Sequence, residues 1–149
     1  MKKSVLLGWM LILLVLSSTL IYLISSLLIQ PSLPTGNIVE YELDIQQKNL
    51  ALRQGRVLME FFYGRNCKDC QEKISILESI ANKYPDKVFL EKVLLDETPT
   101  RLHLIGFNIT ENVIYLQEKD LEEENVTEEN IMNLLCEIML YPPVECVKI

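Results

Sequence analysis

No aspartate or glutamate occurs before Glu40, although the chain carries 21 of them. Lys2 and Lys3 are the only charges in that first stretch, and it holds no cysteine, so a lipid-anchored start is not indicated. The chain also lacks a basic tract and an internal repeat. From residue 30 onward it has twelve basic against 21 acidic side chains. Nucleic-acid affinity comes from clustered Lys and Arg, so no nucleic-acid partner is expected. His103 is the only histidine, and Cys136 and Cys146 lack the close spacing of a second zinc-ribbon pair. No metal or other cofactor is therefore expected. What is present is apolar: 49% of the 149 residues are hydrophobic. The Leu, Ile and Val content excludes a disordered acidic tail, and the length suits one ordinary domain rather than two.

Ser4 to Ile29 is 26 residues without a charge. As a helix it extends about 39 Å, more than the roughly 30 Å hydrocarbon core of a bilayer. A cleaved signal peptide has an apolar region of only about 7–15 residues, so residues 4–29 read as a transmembrane signal-anchor. Ser17-Ser18-Thr19 and Ser25-Ser26 are the small-residue positions that a cleavage reading rests on. Lys2 and Lys3 hold residues 1–3 in the cytoplasm by the positive-inside rule. Residues 30–37, with Pro31, Pro34 and Gly36, form a stiff linker, and residues 38–149 an extracytoplasmic domain. The expected localisation is the cell membrane, with a single pass.

Within that domain Val39, Tyr41, Leu43 and Ile45 alternate with acids, as in an edge strand. A short helix over Gln46–Gln54, stopped by Gly55, precedes the apolar strand Val57–Tyr63. A helix from Cys67 to about Lys83 carries Cys70, Ile74, Leu77 and Ala81 on one side. Val88–Leu95 is a second interior strand. Thr98 and Pro99 have the form of a helix start, with Gly106 as its stop, and Asn112–Gln117 reads as a further strand. Thr127 caps a last helix bearing Ile131, Leu134, Leu135 and Ile138. The order β-α-β-α-β-α-β-α predicts an α/β layer fold around a central sheet.

The chemistry-bearing segment is Phe61-Phe62-Tyr63-Gly64-Arg65-Asn66-Cys67-Lys68-Asp69-Cys70. A thiol at the start of a helix lies among unpaired N–H groups at the positive end of the helix dipole, which favours the thiolate. Arg65 and Lys68 add charge of the same sense, and Asp69 partly opposes it. A second thiol one helical turn on can attack a mixed disulfide and release its substrate. A structural disulfide and a zinc half-site are the other readings of this spacing.

This strand–CxxC–helix junction resembles that of the thioredoxin-like family, in its membrane-anchored disulfide-oxidoreductase form, over roughly residues 38–140. The resemblance implies a thioredoxin-like central sheet with flanking helices, preceded by the transmembrane helix. It makes Cys67 the attacking and Cys70 the resolving cysteine of a Cys67–Cys70 redox disulfide. Glu60 stands near the place of the family's buried acid, which moves protons for the second cysteine, but one residue farther from the first. A sheet-edge acid is the alternative for it. The family's cis-proline slot falls on Glu111, so Thr110 and Glu111 are the expected substrate loop. A cis bond before Glu costs about 2.5–4 kcal/mol, so a trans loop is expected. Asn66 replaces the family's tryptophan. Only Asp120–Val126 separates the fourth strand from the last helix, so the final hairpin strand is expected to be short or missing.

Cys136 and Cys146 are expected to form a structural disulfide that folds the tail onto the last helix; free thiols or a second redox pair are the alternatives. Asn108-Ile109-Thr110 and Asn125-Val126-Thr127 match the glycosylation acceptor pattern at Asn108 and Asn125, both in expected loops. The resulting expectation is a membrane-tethered thiol-disulfide oxidoreductase acting on extracytoplasmic protein thiols and disulfides, served by a membrane redox partner. The alternative is an anchored binding or assembly module of the same fold without turnover, supported by Glu111.

Overall fold

The structure, a computed structural model, describes residues 3–28, 31–67, 69–96, 99–110 and 113–148. Its contacts divide the chain into two units, Met1–Ser32 and Leu33–Ile149. The first unit is one helix, α1 (Lys3–Leu28), in a stretch with no proline before Pro31. Trp9, Leu13, Leu16 and Ile21 are all exposed on it. Ser17, Ser18 and Thr19 turn their hydroxyls back onto the carbonyls of Leu14, Val15 and Leu16, which satisfies them within the helix. Among the described residues no helix is long and apolar enough to cross a membrane. The continuous run of described side chains in α1 is residues 8–22, and Ile29, the end of the expected span, lies outside the described residues.

The second unit is an α/β fold built on a five-stranded sheet. Its strands are β1 (Ile38–Val39), β2 (Val57–Gly64), β3 (Val88–Leu95), β4 (Arg101–Thr110) and β5 (Val113–Glu122), in the order β1-β3-β2-β4-β5. The first three are parallel; β4 runs antiparallel to β2, and β5 pairs with β4 as a hairpin. The helices are α2 (Ile45–Arg53), α3 (Cys70–Lys83) and α4 (Glu128–Ile138). On one face Phe61, Leu102 and Leu104 pack with Leu77 and Ile80 of α3 and with Ile131, Leu135 and Ile138 of α4. On the other, Leu58 and Phe89 pack with Ala51 and Leu52 of α2. This two-sided burial explains the near-continuous apolar runs of β2 and β3.

Gly55 and Thr127 act as the sequence indicates, whereas Asp44, read there as an acid of the edge strand, is a helix cap. Asp44 caps α2, accepting from Gln46 N and Gln47 N, while Gln47 reaches back to the Asp44 N–H. Gly55 ends it at φ 76°, where only glycine is unstrained. Thr127 caps α4 by accepting from Asn130 N at 3.3 Å.

Three expectations are corrected. The edge strand is only two residues, because Val39 and Leu43 are buried while Tyr41 and Ile45 are exposed. Burial recurs every fourth residue there, which a flat strand cannot supply. Of the helix expected over Thr98–Gly106, residues 101–106 are instead the first half of β4, where Leu102 and Leu104 alternate into the core, and Thr98 lies outside the described residues. Gly106 does not stop a helix. It lets β4 approach α4 so closely that a Cβ there collides with the Ile138 carbonyl oxygen. The final hairpin strand is neither short nor missing: β5 has ten residues, and its pairing with β4 runs from Arg101–Glu122 to Thr110–Val113.

Candidate redox site

Strand β2 ends at Gly64, whose carbonyl accepts from Cys67 N at 3.2 Å. This turn carries the chain from the sheet to the start of α3. The helix proper begins at Cys70, not at Cys67, so the first cysteine precedes it by three residues. Cys67 and Cys70 are joined in a disulfide with their Cα atoms 5.6 Å apart. Cys70 is 6% exposed and packs in the core with Phe61, whereas Cys67 is only half-buried. Cys67 is thus the more accessible of the two cysteines. Phe61 and Tyr63 stack beneath this end of the sheet, with ring centroids 5.4 Å apart.

The loop that faces the pair is not the expected one. Thr110 ends β4 at its hairpin with β5, the far end of that strand, and Glu111 lies outside the described residues. Because β4 starts at Arg101, the loop before it holds Pro99 and Thr100, and Thr100 meets the disulfide. Its Oγ1 lies 3.4 Å from Cys67 Sγ and 3.9 Å from Cys70 Sγ. The signal was present in Thr98-Pro99-Thr100, but the same residues also make a well-formed helix start. A cleft of about 810 Å³ adjoins the cysteines through Asp69 and Thr100, and Lys73, Pro99, Arg101 and Glu122 complete much of its wall.

Glu60 is buried, but on the wrong side of the sheet to serve Cys70. Adjacent strand residues point to opposite faces, and Phe61 takes the face that carries Cys70. Glu60 instead enters a charged cluster beneath α2. Its Oε1 lies 2.7 Å from Lys48 Nζ and its Oε2 2.9 Å from His103 Nδ1. Lys48 also meets Glu42 at 2.9 Å and Glu91 at 3.8 Å. Burial alone lowers the Lys48 pKa, yet its contacts with Glu60 and Glu42 and the charge of Glu91 raise it to about 12. Glu91 is fully buried; its Oε2 accepts from Leu43 N at 2.9 Å, and its Oε1 has no hydrogen-bond partner among the described residues. Burial pushes this carboxyl up to about 7, against the opposing Leu43 N–H and Lys48 charge. His103 sits on strand β4, half-buried, rather than on a helix. Glu60 and His103 stood out singly in the sequence but not as a cluster, because its members come from α2, the segment before it, β2, β3 and β4.

The remaining candidates are dispersed. Arg65 Nε is 3.1 Å from Asp96 Oδ1, an exposed pair that offsets part of its charge near the sulfurs. Lys68 lies outside the described residues. Cys136 and Cys146 form a second disulfide that ties the tail to α4. Nearby, Lys87 Nζ donates to the Tyr141 carbonyl at 2.9 Å, beside the first residue of β3. The CxxC follows the other end of β2, an eight-residue strand in register with β3. At 3.3 Å per residue the strand spans roughly 23 Å, which sets the two disulfides toward opposite ends of the sheet. Asn125 is exposed in a 3-10 turn, whereas Asn108 lies within β4 and not in a loop. Among the described residues no group of three or more His, Cys, Asp or Glu is placed to hold a metal ion.

No protein-family model matches the chain, and no curated protein matches it. Among solved structures it is similar to a chloroplastic thioredoxin z, with a TM-score of 0.41 and 16% identity, covering 65% of this chain and 92% of that one. A Fasciola hepatica thioredoxin matches with a TM-score of 0.41 and 15% identity, covering 60% and 88% of the two chains. The Drosophila melanogaster germline thioredoxin Deadhead matches with a TM-score of 0.43 and 13% identity, covering 65% and 95%.

Proposed function

We propose that this chain is a thiol-disulfide oxidoreductase acting on protein thiols and disulfides. The observation that carries the reading is the closed Cys67–Cys70 pair, with Cys67 half-buried and Cys70 buried, at the start of α3. In the reducing direction the Cys67 thiolate attacks a substrate disulfide, forming a mixed disulfide and expelling one substrate sulfur as thiolate. Cys70 then attacks the Cys67 sulfur, closes the pair and releases the second substrate sulfur. Oxidation of a substrate dithiol is the same sequence reversed. The cleft beside Asp69 and Thr100 offers room for the substrate segment that flanks the reacting sulfur.

The non-catalytic binding-module alternative loses its main support, since Pro99 and Thr100, not Glu111, stand before β4. The proposal includes a membrane tether: residues 4–29 carry no charge, and Lys2 and Lys3 orient them with the N-terminus in the cytoplasm. The substrates are then extracytoplasmic, and a membrane redox partner resets the pair.

The test is covalent trapping by the full-length chain. Cys70→Ser leaves Cys67 to form mixed disulfides that cannot resolve, so disulfide-linked adducts with substrate proteins accumulate. Cys67→Ser forms none. Equal adduct levels in the two variants, or a Cys67 pKa at the free-thiol value of about 8.5, overturn the reading.

A further inference from the structure

Thr100 is buried, 6% exposed, yet its single hydroxyl oxygen touches both sulfurs of the pair, at 3.4 Å and 3.9 Å. In the disulfide both sulfurs can only accept. A hydroxyl has one proton to give and two lone pairs to receive with. Reduction changes what the sulfurs need: Cys67 as a thiolate needs a donor, and Cys70 as a thiol needs a group that takes its proton before it attacks. The acid expected to do this, Glu60, is on the opposite face of β2 with Lys48 and His103.

We propose that Thr100 is a third catalytic residue of the exchange, donating its O–H to the Cys67 thiolate and accepting the S–H of Cys70. This rests on the oxidoreductase reading above. In the resolving step the Cys70 sulfur bonds to the Cys67 sulfur, and the bond between Cys67 and the substrate sulfur breaks. The Cys70 proton passes to Thr100 Oγ1, and the Thr100 proton passes to the departing sulfur in the adjoining cleft, which Thr100 lines. The substrate leaves as a thiol, reduced by the electron pair of that bond; the Cys67–Cys70 pair is left oxidised, and Thr100 is unchanged. A concerted relay of this kind needs no threonine alkoxide and no further reductant.

The experiment uses the reduced full-length chain with Thr100→Val, which keeps the side-chain shape but removes the hydroxyl. Two quantities are read: the pH profile of Cys67 alkylation, and the lifetime of the mixed disulfide formed with oxidised glutathione, followed by mass spectrometry after acid quench. Thr100→Val is expected to raise the Cys67 pKa by about one unit, cutting its neutral-pH thiolate about tenfold, and to prolong the mixed disulfide by a similar factor. Thr100→Ser is expected to restore both. A Thr100→Val protein that matches wild type in both readouts overturns the role while leaving the oxidoreductase reading intact. If Thr100→Val does not fold, Thr100→Ala against Thr100→Ser decides, and equal behaviour of those two overturns the role. A wild-type chain with an ordinary Cys67 pKa and no mixed disulfide defeats the oxidoreductase reading itself, and this role with it.

Discussion

Glu60 Oε2 lies 2.9 Å from His103 Nδ1, on the face of β2 turned away from Cys70. The contact joins β2 to β4, and the Lys48 ion pair joins the same carboxylate to α2. Glu60 therefore holds the layers together and does not reach the sulfurs. Glu60→Gln is expected to cost about 3–5 kcal/mol in urea unfolding, the range for breaking a buried ion pair at one partner. The Cys67 alkylation profile should stay as in wild type. A shifted thiol pKa in this variant assigns Glu60 a part in the chemistry after all.

Gly106 and Ile138 give a second expectation. A methyl group at Gly106 meets the Ile138 carbonyl oxygen and side chain, so strand or helix must move. Gly106→Ala should destabilise by about 1–3 kcal/mol, the usual range for overpacking. Thermal unfolding checks it, and an unchanged midpoint contradicts the close approach of β4 to α4.

Glu91 makes stability depend on pH. Its carboxyl is raised by burial from 4.5 to about 7, so between those values the folded chain holds a proton that the unfolded chain has lost. The stability this provides is present in full below about 4.5, falls as pH rises and is gone above about 7. The fall approaches about 1.4 kcal/mol per pH unit at its steepest. Urea unfolding of wild type and Glu91→Gln over this range should give a difference that declines with pH. A difference that is flat, or that rises with pH, rejects the assignment.

The Cys136–Cys146 bridge closes a short loop onto α4. Replacing both cysteines by alanine should cost roughly 3 kcal/mol in the chain-entropy account. Because the bridge lies at the opposite end of the sheet, the redox titration of Cys67–Cys70 against glutathione should not move. A shifted midpoint there reveals coupling between the two disulfides.

Much of the site was legible because its signals are local. The turn after β2 and the cysteine spacing occupy one short segment, and Gly55 and Thr127 work through dihedral angles or hydrogen bonds within a few residues of themselves. The segment Thr98–Gly106 was not legible in that way. Thr98-Pro99 satisfies a helix start, and the alternation of Leu102 and Leu104 is too short to overrule it. Misplacing β4 then put the expected substrate loop at Thr110 and Glu111, away from the Thr100 loop that meets the sulfurs.

The amino-acid sequence by itself determined the cysteine pair on a strand-to-helix junction, the acidic character of the second unit, the α/β class and the apolar first segment. Each depends on composition or on neighbours along the chain. Tertiary structure decided that Thr100 meets the sulfurs, that Glu60 turns from Cys70 toward His103, and that Gly106 sits against Ile138. These are contacts between strands and helices far apart in sequence. In a sheet, a one-residue difference in position sends a side chain to the opposite face, so face and partner become definite only once the strands have paired.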